Sequence, residues 1–217
     1  MGRNIDGIAV GADGRPRCWW CVGDPLYEGY HDREWGRPVA KDARIFEKLC
    51  LEGFQSGLSW LTILRKRENF RSAFGSFDAE KLSRFTPRSV DRLMRDAGIV
   101  RNRAKIEATI NNAKRCRELI REVGSLAAFV WSFEPDPASR PQSLDWEKLV
   151  GMGVSDEAKK LSKELKRRGW AFVGPTTVYS TMESIGLVND HVDGCSFRAE
   201  VEKERKRFKR PRLRASG

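Results

Sequence analysis

Along most of this chain, apolar residues recur at the three-and-four spacing of an amphipathic helix. The segment "DARIFEKLCLEG" puts Ile45, Phe46 and Leu49 on one face, with Asp42 as a candidate N-cap and Gly53 near the end. "SWLTILRKRENFRSAFG" repeats the pattern with Trp60, Leu61, Leu64, Phe70 and Phe74 and stops at Gly75. "RAKIEATINNAKRCRELIREVGS" carries Ile106, Ile110, Ala113 and Ile120 and ends at Gly124. A short apolar helix, "LAAFVWSF", follows. "DEAKKLSKELKRRG" and "TTVYSTMESIG" close on Gly169 and Gly186. No segment sustains the alternation of a strand, and "EPDPASRPQS" is the clearest internal loop. The pattern predicts an all-α protein without internal repeats. Residues 1–16, rich in glycine and without a periodic apolar face, read as a flexible leader.

Composition sharpens this picture. The 217 residues are 40% hydrophobic and 10% aromatic, enough for one compact domain or one with two lobes. No apolar run approaches the ~20 residues of a membrane span, and the start lacks the apolar centre of a signal peptide. A cytoplasmic location is expected, where the five cysteines are thiols or metal ligands rather than disulfides. Lysine and arginine number 41 against 30 acidic residues, a formal charge of +11. The surplus is uneven. Residues 198–217 hold nine basic and three acidic side chains, which leaves +5 on the rest. A basic body favours an anionic partner such as nucleic acid. The tail reads as a solvated, disordered end that could also bind phosphates without sequence preference.

Only two histidines occur, and both lie near cysteines. Cys18 precedes His31 near one end of the chain, and His191 precedes Cys195 near the other. Two thiolates and two imidazoles make the tetrahedral set that zinc prefers, and a metal there would staple the two ends together. Four protein ligands would leave no open position, so such a zinc would be structural. The spacing leaves alternatives open: the histidines can be ordinary hydrogen-bonded residues, and Cys21, two residues beyond Trp19, can compete as a ligand. Cys50 and Cys116 fall within helical patterns and read as core.

Three further features carry chemistry. "DAGIVRNRAKI" offers Gly98 for a tight turn, then Arg101, Arg103 and Lys105 at the start of a helix whose amides could face an anion. The bland reading is an ordinary interhelical turn with solvated arginines. "CWWCVGDPLYEGYHDREWG" packs Trp19, Trp20, Tyr27, Tyr30 and Trp35 into nineteen residues. Such rings suit stacking on a nucleobase, although clustered aromatics commonly fill a core. Finally, Glu52 interrupts the apolar run "CLEGFQSGLSW". Buried there it would need a partner, such as a base or a cation; exposed it would be an ordinary helical surface residue.

Together these residues resemble the DNA-3-methyladenine glycosylase I family, within the helix-hairpin-helix glycosylases. The landmarks are "RCWW…DPLYEGYHDREWG", "FEKLCLEGFQSGLSWLTILRKRENFR", "DAGIVRNRAKIEATINNA", "LKRRGWAFVGPTTVYSTMESIGLVNDHV" and the final cysteine. They run in order from about Arg17 to Cys195, with the leader and the basic tail outside the match. The resemblance implies an all-α helix-hairpin-helix architecture in two helical lobes over residues 17–197, with a zinc joining the N- and C-terminal segments. It assigns the ligands to Cys18, His31, His191 and Cys195. It places Glu52 as the catalytic residue, with Trp20, Tyr27, Tyr30 and Trp60 binding the base and Trp35 packing nearby. It makes Leu58 the wedge into the DNA stack and the hairpin of Gly98, Arg101, Arg103 and Lys105 the grip on the backbone. Many helix-hairpin-helix glycosylases use an aspartate downstream of the hairpin. None lies between Ala97 and Pro135 here, which resembles the methyladenine branch.

The implied function is base-excision repair: a monofunctional N-glycosylase, acting as a monomer on double-stranded DNA, that flips out and hydrolytically releases 3-methyladenine. The rivals are a non-catalytic, zinc-stabilised DNA-binding protein and a paralogue with an altered substrate range. A zinc nucleobase deaminase would want His-x-Glu with a downstream Pro-Cys-x-x-Cys, and the chain has neither.

Overall fold

The computed structural model describes residues 7–214. Twelve helices account for most of the described chain, after one small hairpin of strands β1 (Ile8–Val10) and β2 (Pro16–Cys18). The hairpin is antiparallel, with Ile8 opposite Cys18. The leader is thus ordered from Gly7 onward, a correction to the sequence reading. Its strands are three residues each, too short for alternation to show. What holds it is Arg17, whose guanidinium bridges Asp13 and Asp32.

Helix α1 (Pro25–Arg33) begins with Asp24, whose carboxylate accepts from the amides of Leu26 and Tyr27, and with Pro25 at its first position. Its aromatic content masks the helical period in the sequence. Helix α2 (Asp42–Gln55) is the central element, with every residue from Ile45 to Phe54 buried. It packs against α3 (Trp60–Arg65), α7 (Arg103–Val123), α8 (Leu126–Trp131) and α11 (Pro175–Ser184). Asp42 lies inside α2 rather than capping it. Its carboxylate instead accepts from the amides of Leu126 and Ala127 and from Ser125 Oγ, so it caps α8.

The helix expected over 59–75 breaks at Lys66 into α3 and α4 (Arg67–Ala73). Short helices α5 (Ala79–Leu82) and α6 (Pro87–Met94) lead to the loop before α7. Beyond α8 come α9 (Trp146–Met152), α10 (Asp156–Arg167), α11 and α12 (Arg198–Arg207).

The tail expected to be disordered is docked as far as it is described. Arg205 donates to the carbonyls of Gly186 and Leu187, Arg210 pairs with Glu134, and Phe208 lies 4.6 Å from the Trp131 ring. Arg198, Arg205 and Arg210 are paired with carbonyls and carboxylates, while Arg207, Arg212 and Arg214 are exposed, so charge density alone is a poor guide to disorder here. Residues 1–6 and 215–217 lie outside the described region.

The main core gathers α2, α7, α8, α10 and α11 around Phe46, Phe54, Ile106 and Leu119. A smaller cluster joins Cys18, Tyr30, Trp35, Val192, Cys195 and Phe197, which brings the two ends of the chain together. Trp60 packs against both clusters, and the candidate site opens at their junction. No described helix is long and apolar enough to cross a membrane.

Candidate base pocket and metal centre

A cavity of about 200 Å³ is walled by Trp20, Tyr27, Tyr30, Trp35 and Trp60, with Glu52 among them. Every residue expected to hold the base therefore meets in one hollow. Helix periodicity explains part of this: Tyr27 and Tyr30 are three apart on α1 and share a face. The rings brace one another, with Trp20 4.9 Å from Tyr27 and 5.0 Å from Trp35, and Tyr30 5.4 Å from Trp60. Of three larger clefts, those of about 590 and 670 Å³ flank the 135–157 segment with no aromatic side chain in their lining, and one of about 410 Å³ has Phe46 and Phe77 but no tryptophan or tyrosine.

Glu52 is 5% exposed, and among the described residues its carboxyl has no hydrogen-bond partner. Burial pushes it up to about 8, partly offset by the Lys48 ammonium one turn earlier on α2. Lys48 is itself buried, lies 5.2 Å from the Tyr30 ring centre, and is held down to about 8 mainly by desolvation. By contrast, the neighbouring buried Glu47 accepts from Arg44 and Arg71. The indole N–H of Trp60 is also buried and unpartnered. The pocket therefore presents a carboxyl with no partner within the protein and a buried indole N–H whose hydrogen bond is unmade, the latter costly to leave unsatisfied.

Gln55, Ser180 and Glu183 complete the lining, and the sequence reading missed all three. Ser180 and Glu183 sit in the polar stripe of α11. Only the packing of α11 on α2 turns that stripe toward Glu52.

Behind the aromatic wall lie Cys18, His31, His191 and Cys195, all buried, with candidate ligand atoms within 4.8 Å of one another. Individual edges are 3.1 Å between the two imidazole nitrogens, and 3.4, 3.6 and 3.8 Å between sulfur and nitrogen. A tetrahedral site with Zn–N near 2.0 Å and Zn–S near 2.3 Å has edges of roughly 3.3–3.8 Å, so these four residues fit a metal ion. Asp32 accepts from His31 Nδ1 at 2.9 Å and is itself held by Arg17, which leaves Nε2 facing the cluster. The Trp35 carbonyl meets His191 Nε2 and turns Nδ1 inward. Burial holds His191 below its usual range, in the neutral form a ligand needs. Cys21 stands apart, its thiol donating to the Cys18 carbonyl. Trp20 and Trp35 each touch His31 on one side and the pocket on the other.

The loop after α2 turns at Gly57, whose φ of +80° favours glycine, and presents Leu58 at 39% exposure. On the opposite loop, Gly98 does not adopt a left-handed turn. It is small because a Cβ there would come within 3.2 Å of Asn69. Its carbonyl and that of Ala97 are held by Lys66. Among the described residues the amides of Arg103 and Ala104, the first two of α7, donate to no protein oxygen. Arg101 is exposed, and Arg103 pairs with Asp91 and Glu107 at the surface. Lys105 corrects the expectation of a phosphate contact. Its ammonium is turned inward and donates to the carbonyls of Phe54 and Ser56, where it closes the C-terminal end of α2. Glu118 and Glu122 make only ion pairs with Arg115 and Arg168.

The fold and site define a helical protein with a small hollow between aromatic rings and a buried carboxyl. The chain belongs to the methyladenine glycosylase family, whose model matches residues 20–199. It is 45% identical over 179 residues to DNA-3-methyladenine glycosylase 1 of Escherichia coli, covering 82% of this chain and 95% of that one. It is 42% identical over 180 residues to the DNA-3-methyladenine glycosylase of Haemophilus influenzae, covering 82% and 96%. The structure of 3-methyladenine DNA glycosylase I from Staphylococcus aureus, solved for its recognition of 3-methyladenine, superposes with a TM-score of 0.77 at 37% identity. The match spans 84% of this chain and 96% of that one.

Proposed function

We propose that this protein is a DNA-3-methyladenine glycosylase of base-excision repair, which extrudes the alkylated base from double-stranded DNA and hydrolyses its N-glycosyl bond. The observation that carries the reading is Glu52, a buried, partnerless carboxyl inside a cavity of aromatic walls. Methylation at N3 makes the adenine of the nucleotide cationic and weakens the bond to the sugar. The leaving base then needs no added proton, so the site must bind and orient rather than supply a strong acid. Tyr30 and Trp60 offer π faces to the cation, and Glu52 accepts from the exocyclic amine or a ring N–H. Trp20 and Tyr27 complete the walls. Entry of a positive base beside Glu52 favours loss of the Glu52 proton, so binding and ionisation reinforce each other.

On the DNA side, α6, the 95–102 loop and α7 act as the helix-hairpin-helix. The open amides of Arg103 and Ala104 and the Arg101 and Arg103 side chains take phosphates. Leu58 fills the stack left by the extruded base, a step that costs a few kcal/mol of stacking and pairing. Residues 17–197 form the working unit, as a monomer in the cytoplasm. Cys18, His31, His191 and Cys195 would hold a zinc ion, which with four protein ligands supplies structure and not a reactive water.

Chromatography of the bases released from methylated DNA tests the reading. The wild-type protein should liberate 3-methyladenine, and Glu52→Ala should abolish that while still retarding DNA. Single-turnover release by Glu52→Ala at the wild-type rate would refute the role given to Glu52. Retarded DNA with no base release by the wild type would favour the non-catalytic alternative.

A further inference from the structure

The pocket holds a second carboxyl, Glu183, which the proposed mechanism leaves without a task. It sits on α11 three residues after Ser180, so both face the hollow from one side of the helix. Among the described residues its side chain makes neither a hydrogen bond nor an ion pair. The nearest cation on its side, Arg140, is already engaged by Asp190, which also accepts from Tyr179 at 2.6 Å. On the α2 side, Lys48 is felt by Glu34 and Glu52.

We infer that Glu183 is a second base-recognition residue, a protonated carboxyl that reads the amine-bearing edge of adenine while Glu52 serves as the charged partner. The inference rests on the glycosylase reading above. Two carboxyls in one small hollow cannot both ionise cheaply. Glu52 has a lysine beside it and Glu183 does not, so Glu52 gives up its proton first. Burial, Asp190 and then the Glu52 charge hold Glu183 well above the usual carboxylate range, with Arg140 opposing. Tyr30 and Tyr179 are the other titratable groups close to it, and both are held neutral well above pH 7.

A neutral carboxyl offers one donor and one acceptor side by side. Adenine presents the complement at its N6 amine and the adjacent N7, whereas guanine presents two acceptors, N7 and O6. An ionised Glu183 would set an oxygen lone pair against a ring-nitrogen lone pair and weaken the fit. The same residue therefore favours adenine lesions over guanine lesions, and it ties binding to the proton it retains.

The test compares wild type, Glu183→Met and Glu183→Gln in single-turnover release of 3-methyladenine from methylated DNA, from about pH 6 to about pH 9.5. Quenching of the pocket tryptophans by 3-methyladenine base and thermal melting are followed alongside. Glu183→Met should lose about tenfold or more in both release and base affinity. It should still melt cooperatively, so that the loss is one of recognition and not of folding. Glu183→Gln, which keeps a donor and an acceptor, should stay within about threefold of wild type near neutrality. It should also lack the fall in affinity that wild type shows as Glu183 ionises at high pH. Unchanged release by Glu183→Met, or failure of Glu183→Gln as deep as that of Glu183→Met, would each overturn the inference. Should Glu183→Met not fold, the pH profile of Glu183→Gln against wild type decides alone. A wild-type protein that neither releases nor binds 3-methyladenine overturns the glycosylase reading, and this inference with it.

Discussion

A carboxyl buried without a hydrogen bond favours its neutral form, and Glu52 shows how that preference becomes chemistry. Its proton leaves near pH 8 in the folded chain, against a value near 4.5 when exposed. Between those values the unfolded state binds fewer protons than the folded one, so this group's contribution to stability falls as pH rises from about 4.5 to about 8. Glu52→Gln removes that dependence. It should melt higher than wild type at pH 9, by a margin on the order of 1–3 kcal/mol, and by much less at pH 5. Differential scanning calorimetry at the two pH values checks this, and an equal shift at both would show that charge is not the cause. Excision moves the other way. In the role proposed for Glu52, the unliganded enzyme must ionise it to welcome a cation, so wild-type kcat/KM should climb with pH up to about 8. In that role one residue costs the fold stability in the same pH range where it serves the reaction.

Between elements, polar side chains do the joining, and here the sequence is only partly legible. The 3.6-residue period of α2, α7 and α10 is plain because each keeps apolar residues on one side. The break at Lys66 and the short strands leave no such mark. Asp42 and Lys105 were legible as residues but not as contacts. Each is placed by sequence at a helix start, yet each closes the end of a different helix, a relation fixed only by packing. The pocket divides similarly. Tyr27, Tyr30 and Glu52 stand out because aromatics cluster and a carboxylate breaks an apolar run. Glu183 does not, because a glutamate among the polar positions of α11 looks solvated. Three substitutions test these contacts, and the last two separate an inward from an outward cation. Asp42→Ala should cost about 1–2 kcal/mol in urea unfolding by uncapping α8. Lys105→Met should likewise destabilise, by loosening the α2 terminus that carries Leu58, yet leave the salt dependence of DNA binding unchanged. Arg101→Ala should instead lower the slope of log affinity against log salt by about one, with stability intact. A reduced slope for Lys105→Met would return that ammonium to the phosphate backbone.

At the scale of the molecule, residues some 170 positions apart meet at one point: Cys18 and His31 from the first elements, His191 and Cys195 from the last. The arrangement couples the cluster to the pocket through α1, which carries Tyr30 in the pocket wall and His31 in the cluster in successive positions. Trp20 and Trp35 fill the space between. Loss of the ion would leave two thiols and two imidazoles crowded and desolvated, a cluster that relaxes by parting. When it parts, α1 shifts and the aromatic walls lose their spacing, while the main core around Phe46 and Leu119 has no stake in the clasp. Stripping the metal with a strong chelator should therefore leave most of the helical circular dichroism in place. It should red-shift the tryptophan emission, lower the melting temperature and abolish binding of 3-methyladenine base. Elemental analysis should find close to one zinc per chain before treatment, and Cys195→Ser should reproduce the stripped state. A metal-free protein that still binds the base at wild-type affinity would mean that the pocket stands without its clasp.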